Sequence, residues 1–280
     1  MDQLYTFFYG TILKWDRYLH ILCYLHFTDK RNAADRTEEN FDGLWNIRDL
    51  FEILNSTFSK FYNHSENLTF DEFIVSFKGR MIFKQYIPKK HKYFGIRIFK
   101  LCDSDGYTYD MKVYLGKDRQ HMAQDVTATH ATVMELMRKI QGRGHILHMD
   151  NLFSSPELFD DLVNKQIYSW DIVRLNRRGM PQDMVPKKTK MKRGDIHIRT
   201  TADLTAILWW DNRHISMLMN IQNAPGEGNF CNKGGKAIKL EIVTDYNHHM
   251  FYVDKGDKMD NSYSISQRTF KWTKKLFFNC

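Results

Sequence analysis

The stretch Asn67–Arg80, NLTFDEFIVSFKGR, decides how this chain is read. From Thr69 onward, the residues of one parity are Thr69, Asp71, Phe73, Val75 and Phe77. A strand sends alternate side chains to opposite faces, so Asp71 shares a face with three large apolar groups. A carboxylate in that company costs free energy unless a hydrogen bond or a cation compensates it. The stretch by itself fits a satisfied structural Asp as well as a metal ligand.

Outward from this strand the pattern alternates. Ile96–Cys102 and Tyr107–Leu115 read as strands joined at Asp105-Gly106, a hairpin signal. Val133, Leu136, Met137 and Ile140 have the spacing of an amphipathic helix, stopped by Gly142 and Gly144. His145–Met149 reads as a short strand with Asp150 at its exit. Ser155-Pro156 is an N-cap followed by Pro at the first helical position, and Tyr168–Arg174 is a further strand. The order is β-β-β-α-β-α-β, with acids on the first and fourth strands. Three further strands, Asp195–Thr200, Leu204–Trp210 and His214–Ile221, read as a β-rich insertion into an α/β unit. Upstream, the first sixty residues read as helical. One apolar stripe is Ile12, Trp15, Leu19, Leu22 and Leu25, and another is Leu44, Ile47, Phe51, Leu54 and Phe58. Both are expected to be core or interface. The chain stops at Cys280 without a capping signal, so a C-terminally truncated fragment is expected.

The charge is unevenly placed. The 280 residues carry a formal net charge of +8. Residues 78–100 hold eight Lys/Arg and no acid, and residues 174–193 hold eight Lys/Arg and one Asp. Two concentrated basic windows suggest a polyanionic partner, most simply nucleic acid. No long apolar run marks a membrane span, and MDQLYTFFYG lacks the pattern of a signal peptide. The four cysteines, Cys23, Cys102, Cys231 and Cys280, form no CxxC pair, so neither a zinc knuckle nor a disulfide framework is expected. His248-His249 reads as an exposed loop pair, because no Cys or third His stands at ligand spacing.

Three acids on separate elements call for one explanation. Asp71 is on the first strand, Asp150 follows the fourth, and Asp254 lies in VDKGD with Asp257 three residues on. Carboxylates that converge repel one another unless cations hold them, and hard oxygen donors suit Mg²⁺. Such a pair of ions can clamp the attacking and leaving oxygens of a phosphoryl transfer.

The words LTFDEFIVSFKGR, FKQYIPKKHKYFGIRIFKLCDSDGYTYDMKVYLGK, GHILHMDNLFSSPELFDDL, DIVRLNRRGMP and DYNHHMFYVDKGDKM resemble the piggyBac transposase family in order and spacing. YSISQRTFKW extends the likeness, which covers about Trp15 to Phe278. The resemblance implies an RNase H-like α/β core with a mixed five-stranded sheet. It implies a helical region over 1–65, core over 66–175, a β-rich insertion over 176–243, and further core over 244–280. The family's catalytic acids fall on Asp71, Asp150 and Asp254, with Asp257 as a further metal ligand. Two Mg²⁺ (or Mn²⁺) are implied, with cut-and-paste transposition at TTAA sites, and no zinc in this stretch. DNA contacts would come from Lys78, Arg80, Arg174, Arg177, Arg178, Lys187, Lys188 and Trp272. A homodimer, DNA at element ends and target, no membrane, and a nuclear location follow from the same likeness. The family's Gly-Gly before the third acid is replaced by Phe251-Tyr252, and its Thr-Val-Arg-Ser-Asn strand end by Ile172–Asn176, with Asp171 just before it. The alternative reading is a degenerate or domesticated DNA-binding protein that no longer cleaves.

Overall fold

The computed structural model describes residues 11–29, 31, 37–38, 41–88, 93–116, 127–185, 191–201, 203–221, 228–229, 239–262, 269 and 271–279. Lys187 and Lys188 lie outside these. The chain forms two compact units, Met1–Leu54 and Asn55–Cys280.

In the first unit, α1 (Trp15–Tyr24) buries Leu22, whereas Ile12 and Trp15 of its expected core stripe are 66% and 67% exposed. Among the described residues the stripe is split: Ile12 and Trp15 are exposed, Leu19 and Leu25 are half-buried, and Leu22 is buried. The second stripe behaves as expected at its start. Leu44, Ile47 and Phe51 are buried where the chain enters α2 (Arg48–Phe61). The entry is fixed by Asp42, which accepts the Leu44 amide at 2.9 Å and two Arg48 guanidinium bonds at 2.7 and 2.8 Å.

The second unit is built on one mixed sheet. β1 (Asn67–Ser76) pairs antiparallel with β3 (Phe94–Asp103), and β3 also carries β2 (Gln85–Tyr86) and β4 (Thr108–Val113) on its far edge. On the other side β1 pairs parallel with β5 (Ile146–Met149), and β5 parallel with β6 (Tyr168–Ile172). The order β4-β3-β1-β5-β6 is that of an RNase H-like core, as the resemblance implied. Parallel neighbours need crossovers, supplied here by α3 (Ala128–Met137) and α4 (Pro156–Asn164). Ser155 caps α4 by accepting the Leu158 amide, with Pro156 at the first helical position. Both faces of β1 are covered. Leu68 and Phe70 enter a core with Phe99, Leu147, Phe153 and Phe159, while Thr69, Phe73 and Val75 are buried on the opposite face.

The strands β7 (Asp195–Thr200), β8 (Thr205–Trp210) and β9 (His214–Met219) form an antiparallel meander. β9 pairs directly with β6 through Trp170↔Met219, so the meander continues the same sheet. A two-residue β10 (Gly228–Asn229) brings the sheet to ten strands among the described residues. The chain then returns as α5 (Glu241–His249), α6 (Tyr252–Ser262) and α7 (Trp272–Phe277).

One close approach seats α6. A Cβ built on Gly256 would lie 2.5 Å from the Gly106 carbonyl oxygen, and Gly106 itself has φ +80° in the β3–β4 turn. Helix backbone and turn backbone touch only because neither residue has a side chain. An Ala in a helix interior ordinarily gains about 1 kcal/mol over Gly. At Gly256 the sign should reverse, with Gly256→Ala costing about 1–3 kcal/mol by overpacking. Thermal unfolding checks this, with Lys258→Ala on the exposed side of the same helix staying within ~0.5 kcal/mol of the parent.

Candidate functional site

The register Phe70↔Met149 between parallel β1 and β5 sets the next residues, Asp71 and Asp150, side by side at one end of the pair. Each carboxylate oxygen Oδ1 accepts the following backbone amide at 2.7 Å, from Glu72 and Asn151 respectively. Tyr246 of α5 reports their shared field. Its phenol is buried and donates to the Met149 carbonyl at 3.2 Å. Burial pushes its pKa up, and the charges of Asp171, Asp150 and Asp71 push it further.

Asp171 lies below this pair on β6, fully buried. It accepts the Met149 amide at 3.0 Å and the Ser169 hydroxyl at 2.7 Å. Burial holds its carboxyl well above the usual range despite those bonds, and the charge of Asp150 adds to the shift. Asp171 thereby ties β5 to β6, and burial disfavours the negative charge that the sequence set beside the site.

The third acid stands apart. Asp254 is exposed in the first turn of α6, where a negative charge suits the helix N-terminus. Among the described residues, carboxylate oxygens of Asp71, Asp150 and Asp254 do not come within 4.8 Å of one another as a group. Phe251 projects to solvent at 59% exposure, and Tyr252 is buried against Cys102 and Val253. The two residues that replace Gly-Gly are thus housed on opposite sides of the α5–α6 junction. Burial pushes the Cys102 thiol up to about 12, which leaves it an inert packing group.

Asp257 and Asp260 follow Asp254 at three-residue steps and share a buried cation. Lys100 of β3, the register partner of Asp71, reaches Asp260 at 2.7 Å and Asp257 at 3.5 Å. Its ammonium also lies 4.2 Å from the centre of the Phe73 ring. Burial opposes the charge on Lys100, but Asp260 and Asp257 outweigh it and hold the group above its ordinary value. For Asp257 burial wins instead: it raises the carboxyl to about 6 against the pull of Lys100. The two directions differ: the pair favours the charged form of Lys100, whereas burial disfavours the charged form of Asp257.

The basic windows divide. Lys78, Arg80, Arg174 and Arg178 are exposed. Arg177 is half-buried and donates to the carbonyls of Asn151 and Leu152, and Arg174 Nε donates to Asn151 Oδ1 at 3.0 Å. Both arginines therefore brace the turn just after Asp150. Lys100 and Arg97, counted in the first basic window, are inward: Arg97 pairs with Glu72. Trp272 is half-buried and meets Phe83 edge-on at 5.2 Å.

The reading of His248-His249 as a loop pair is corrected. Both stand on α5, and the His249 ring stacks on buried His148 at 4.7 Å with only 6° between the planes. Burial and the His249 charge depress His148 to about 3, so its imidazole is neutral. The sequence signal was helical spacing, Asp245 to His249, but the partner came from a strand 101 positions earlier.

The carboxylate oxygens of Asp71 and Asp150, set beside each other by the β1–β5 register, fit a hard divalent cation.

Against known proteins, the family model described as "Transposase IS4" matches residues 2–280. The human PiggyBac transposable element-derived protein 5 is 20% identical over 95% of this chain and 52% of its own length. The human PiggyBac transposable element-derived protein 3 is 24% identical over 93% of this chain and 45% of its own. A cryo-EM structure of the piggyBac transposase synaptic complex with hairpin DNA superposes with a TM-score of 0.83 at 24% identity, covering 96% of this chain and 55% of that one. The chain spans about half the length of the curated relatives it matches.

The Asp257 shift gives a signed expectation for metal-free protein. The folded state holds this proton up to about pH 6 and the unfolded state only to about 3.8. Stability therefore falls as pH rises through that window. Asp257→Asn should flatten the fall, seen as a smaller difference in denaturant midpoint between pH 4 and pH 6.5.

Proposed function

The chain belongs to the piggyBac transposase family, and on that premise we propose that it is the core of a metal-dependent DNA strand-cleaving and strand-transferring enzyme acting at TTAA sites. The observation that carries this reading is the register that sets Asp71 beside Asp150 where the parallel β1–β5 pairing ends. Asp71 and Asp150 would hold the metal, with Asp254 or Asp257 supplied from α6. Two Mg²⁺ ions held there would supply activation of the attacking oxygen and stabilisation of the leaving one. Arg174 and Arg177 fix the turn that carries Asp150. Exposed Lys78, Arg80 and Arg178 would meet backbone phosphates, as would Lys187 and Lys188. The exposed apolar face of α1 fits a second copy of the chain, and the setting of such chemistry is the nucleus.

A second reading has one observation in its favour. Lys100 already supplies a cation to Asp257 and Asp260. A chain in which that ammonium holds the α6 acids would bind DNA without cutting it.

Two measurements separate these. With a TTAA-flanked duplex, Mg²⁺-dependent nicking lost by more than a hundredfold in Asp71→Asn and Asp150→Asn supports the enzyme. DNA binding with no nicking in the parent, but nicking or an about tenfold gain in Mg²⁺ affinity in Lys100→Met, supports the blocked site. Binding should weaken with salt in either case. Lys78→Ala and Arg178→Ala should each reduce the slope of log affinity on log salt by about 1; unchanged slopes would remove these residues from the interface.

A further inference from the structure

His148 on β5 and Asp245 and His249 on α5 each offer a ligand atom within 4.8 Å of the others. Asp245 and His249 are four residues apart, so one helix face presents both. We propose that these three residues form a second metal site, separate from the carboxylates at Asp71 and Asp150, for a borderline transition-metal dication of the Zn²⁺ class. The proposal does not depend on whether the chain cleaves DNA.

The hydrogen bonds around the three residues are those of prepared ligands. His249 Nδ1 faces the Asp245 carbonyl at 2.9 Å, and a proton on that nitrogen leaves Nε2 with a lone pair. His148 Nε2 faces Asn67 Oδ1 at 3.3 Å, and a proton there leaves Nδ1 with the lone pair. That Nδ1 is buried without a hydrogen-bond partner, and Asp171 Oδ1, 3.9 Å away, is already engaged by the Met149 amide. Asp245 Oδ2 accepts the Trp170 indole N–H at 2.7 Å, which orients the carboxylate. Outer partners that fix a tautomer or a carboxylate are the usual companions of metal ligands.

The donor set is two imidazoles and one carboxylate. It suits Zn²⁺, Co²⁺ or Ni²⁺ and not Mg²⁺, which takes oxygen almost exclusively. Tetrahedral bonds of ~2.0–2.1 Å bring donors to roughly 3.3 Å apart. Binding therefore closes the present spacing and turns one imidazole out of the stack. The Thr69 hydroxyl donates to the His249 carbonyl at 2.6 Å, so the helix end already sits on β1. A metal here would clip α5 to β5, and so fix the helix junction before Asp254 relative to the strand that ends at Asp150.

The test is titration of tag-free, chelator-treated protein with Co²⁺. A saturable visible band of tetrahedral type at one equivalent is expected, displaced by one equivalent of Zn²⁺ and unmoved by millimolar Mg²⁺. His249→Gln and Asp245→Asn should each weaken Co²⁺ binding by a hundredfold or more, with circular dichroism verifying the fold. His248→Gln, the exposed neighbour, and Asp150→Asn should keep the band. No band at one equivalent, equal loss in His248→Gln, or retention in both His249→Gln and Asp245→Asn would overturn the site.

Discussion

The parallel pairing of β1 with β5 is the constraint on which the rest depends. Its register, Phe70↔Met149, places two carboxylates together that sequence separates by 79 positions. The pairing is held by burial of Leu68, Phe70, Leu147 and Met149 on one face, each fully excluded from water. Side chains of that size contribute about 1.5–3 kcal/mol apiece, ample to hold two carboxylates together where the β1–β5 pairing ends. A slip of one residue would turn Asp71 into the core, so the hydrophobic pattern fixes the acid as firmly as the strand.

Around that pair the molecule manages charge by different means at different depths. Asp171, fully enclosed, is held towards its neutral form. Lys100, almost as deep, keeps its charge because two α6 carboxylates and the Phe73 ring surround it. Asp254 stays in water. The same helix thus carries an exposed acid, a half-buried acid and a paired acid, and Gly256 against Gly106 determines how near they approach the sheet.

Much of this was legible in sequence. Alternation in Thr69–Phe77 gave β1, Asp105-Gly106 gave the hairpin, and Ser155-Pro156 gave the start of α4, because each depends on local chemistry. The collinear motifs pointed to the RNase H-like order and family. Other features depend on contacts between distant segments. Lys100 looked like part of a basic DNA-facing window, and only the fold turns it inward to Asp257 and Asp260. His249 looked like half of a loop pair, since its strand partner His148 has no periodic relation to it. The stripe at Ile12 and Trp15 has helical spacing yet is exposed, because periodicity reports a face and not what covers it. The Phe251-Tyr252 replacement could be read from sequence, but not that one ring would turn outward and the other pack on Cys102.

The central claim, that Asp71 and Asp150 are ligands of a catalytic metal pair, is tested most directly by anomalous diffraction from crystals of the chain grown with Mn²⁺ and a TTAA duplex. Two peaks roughly 3.5–4 Å apart are expected beside these carboxylates. Well-ordered Asp71 and Asp150 with no anomalous peak between them, and Lys100 still seated on Asp257 and Asp260, would contradict it.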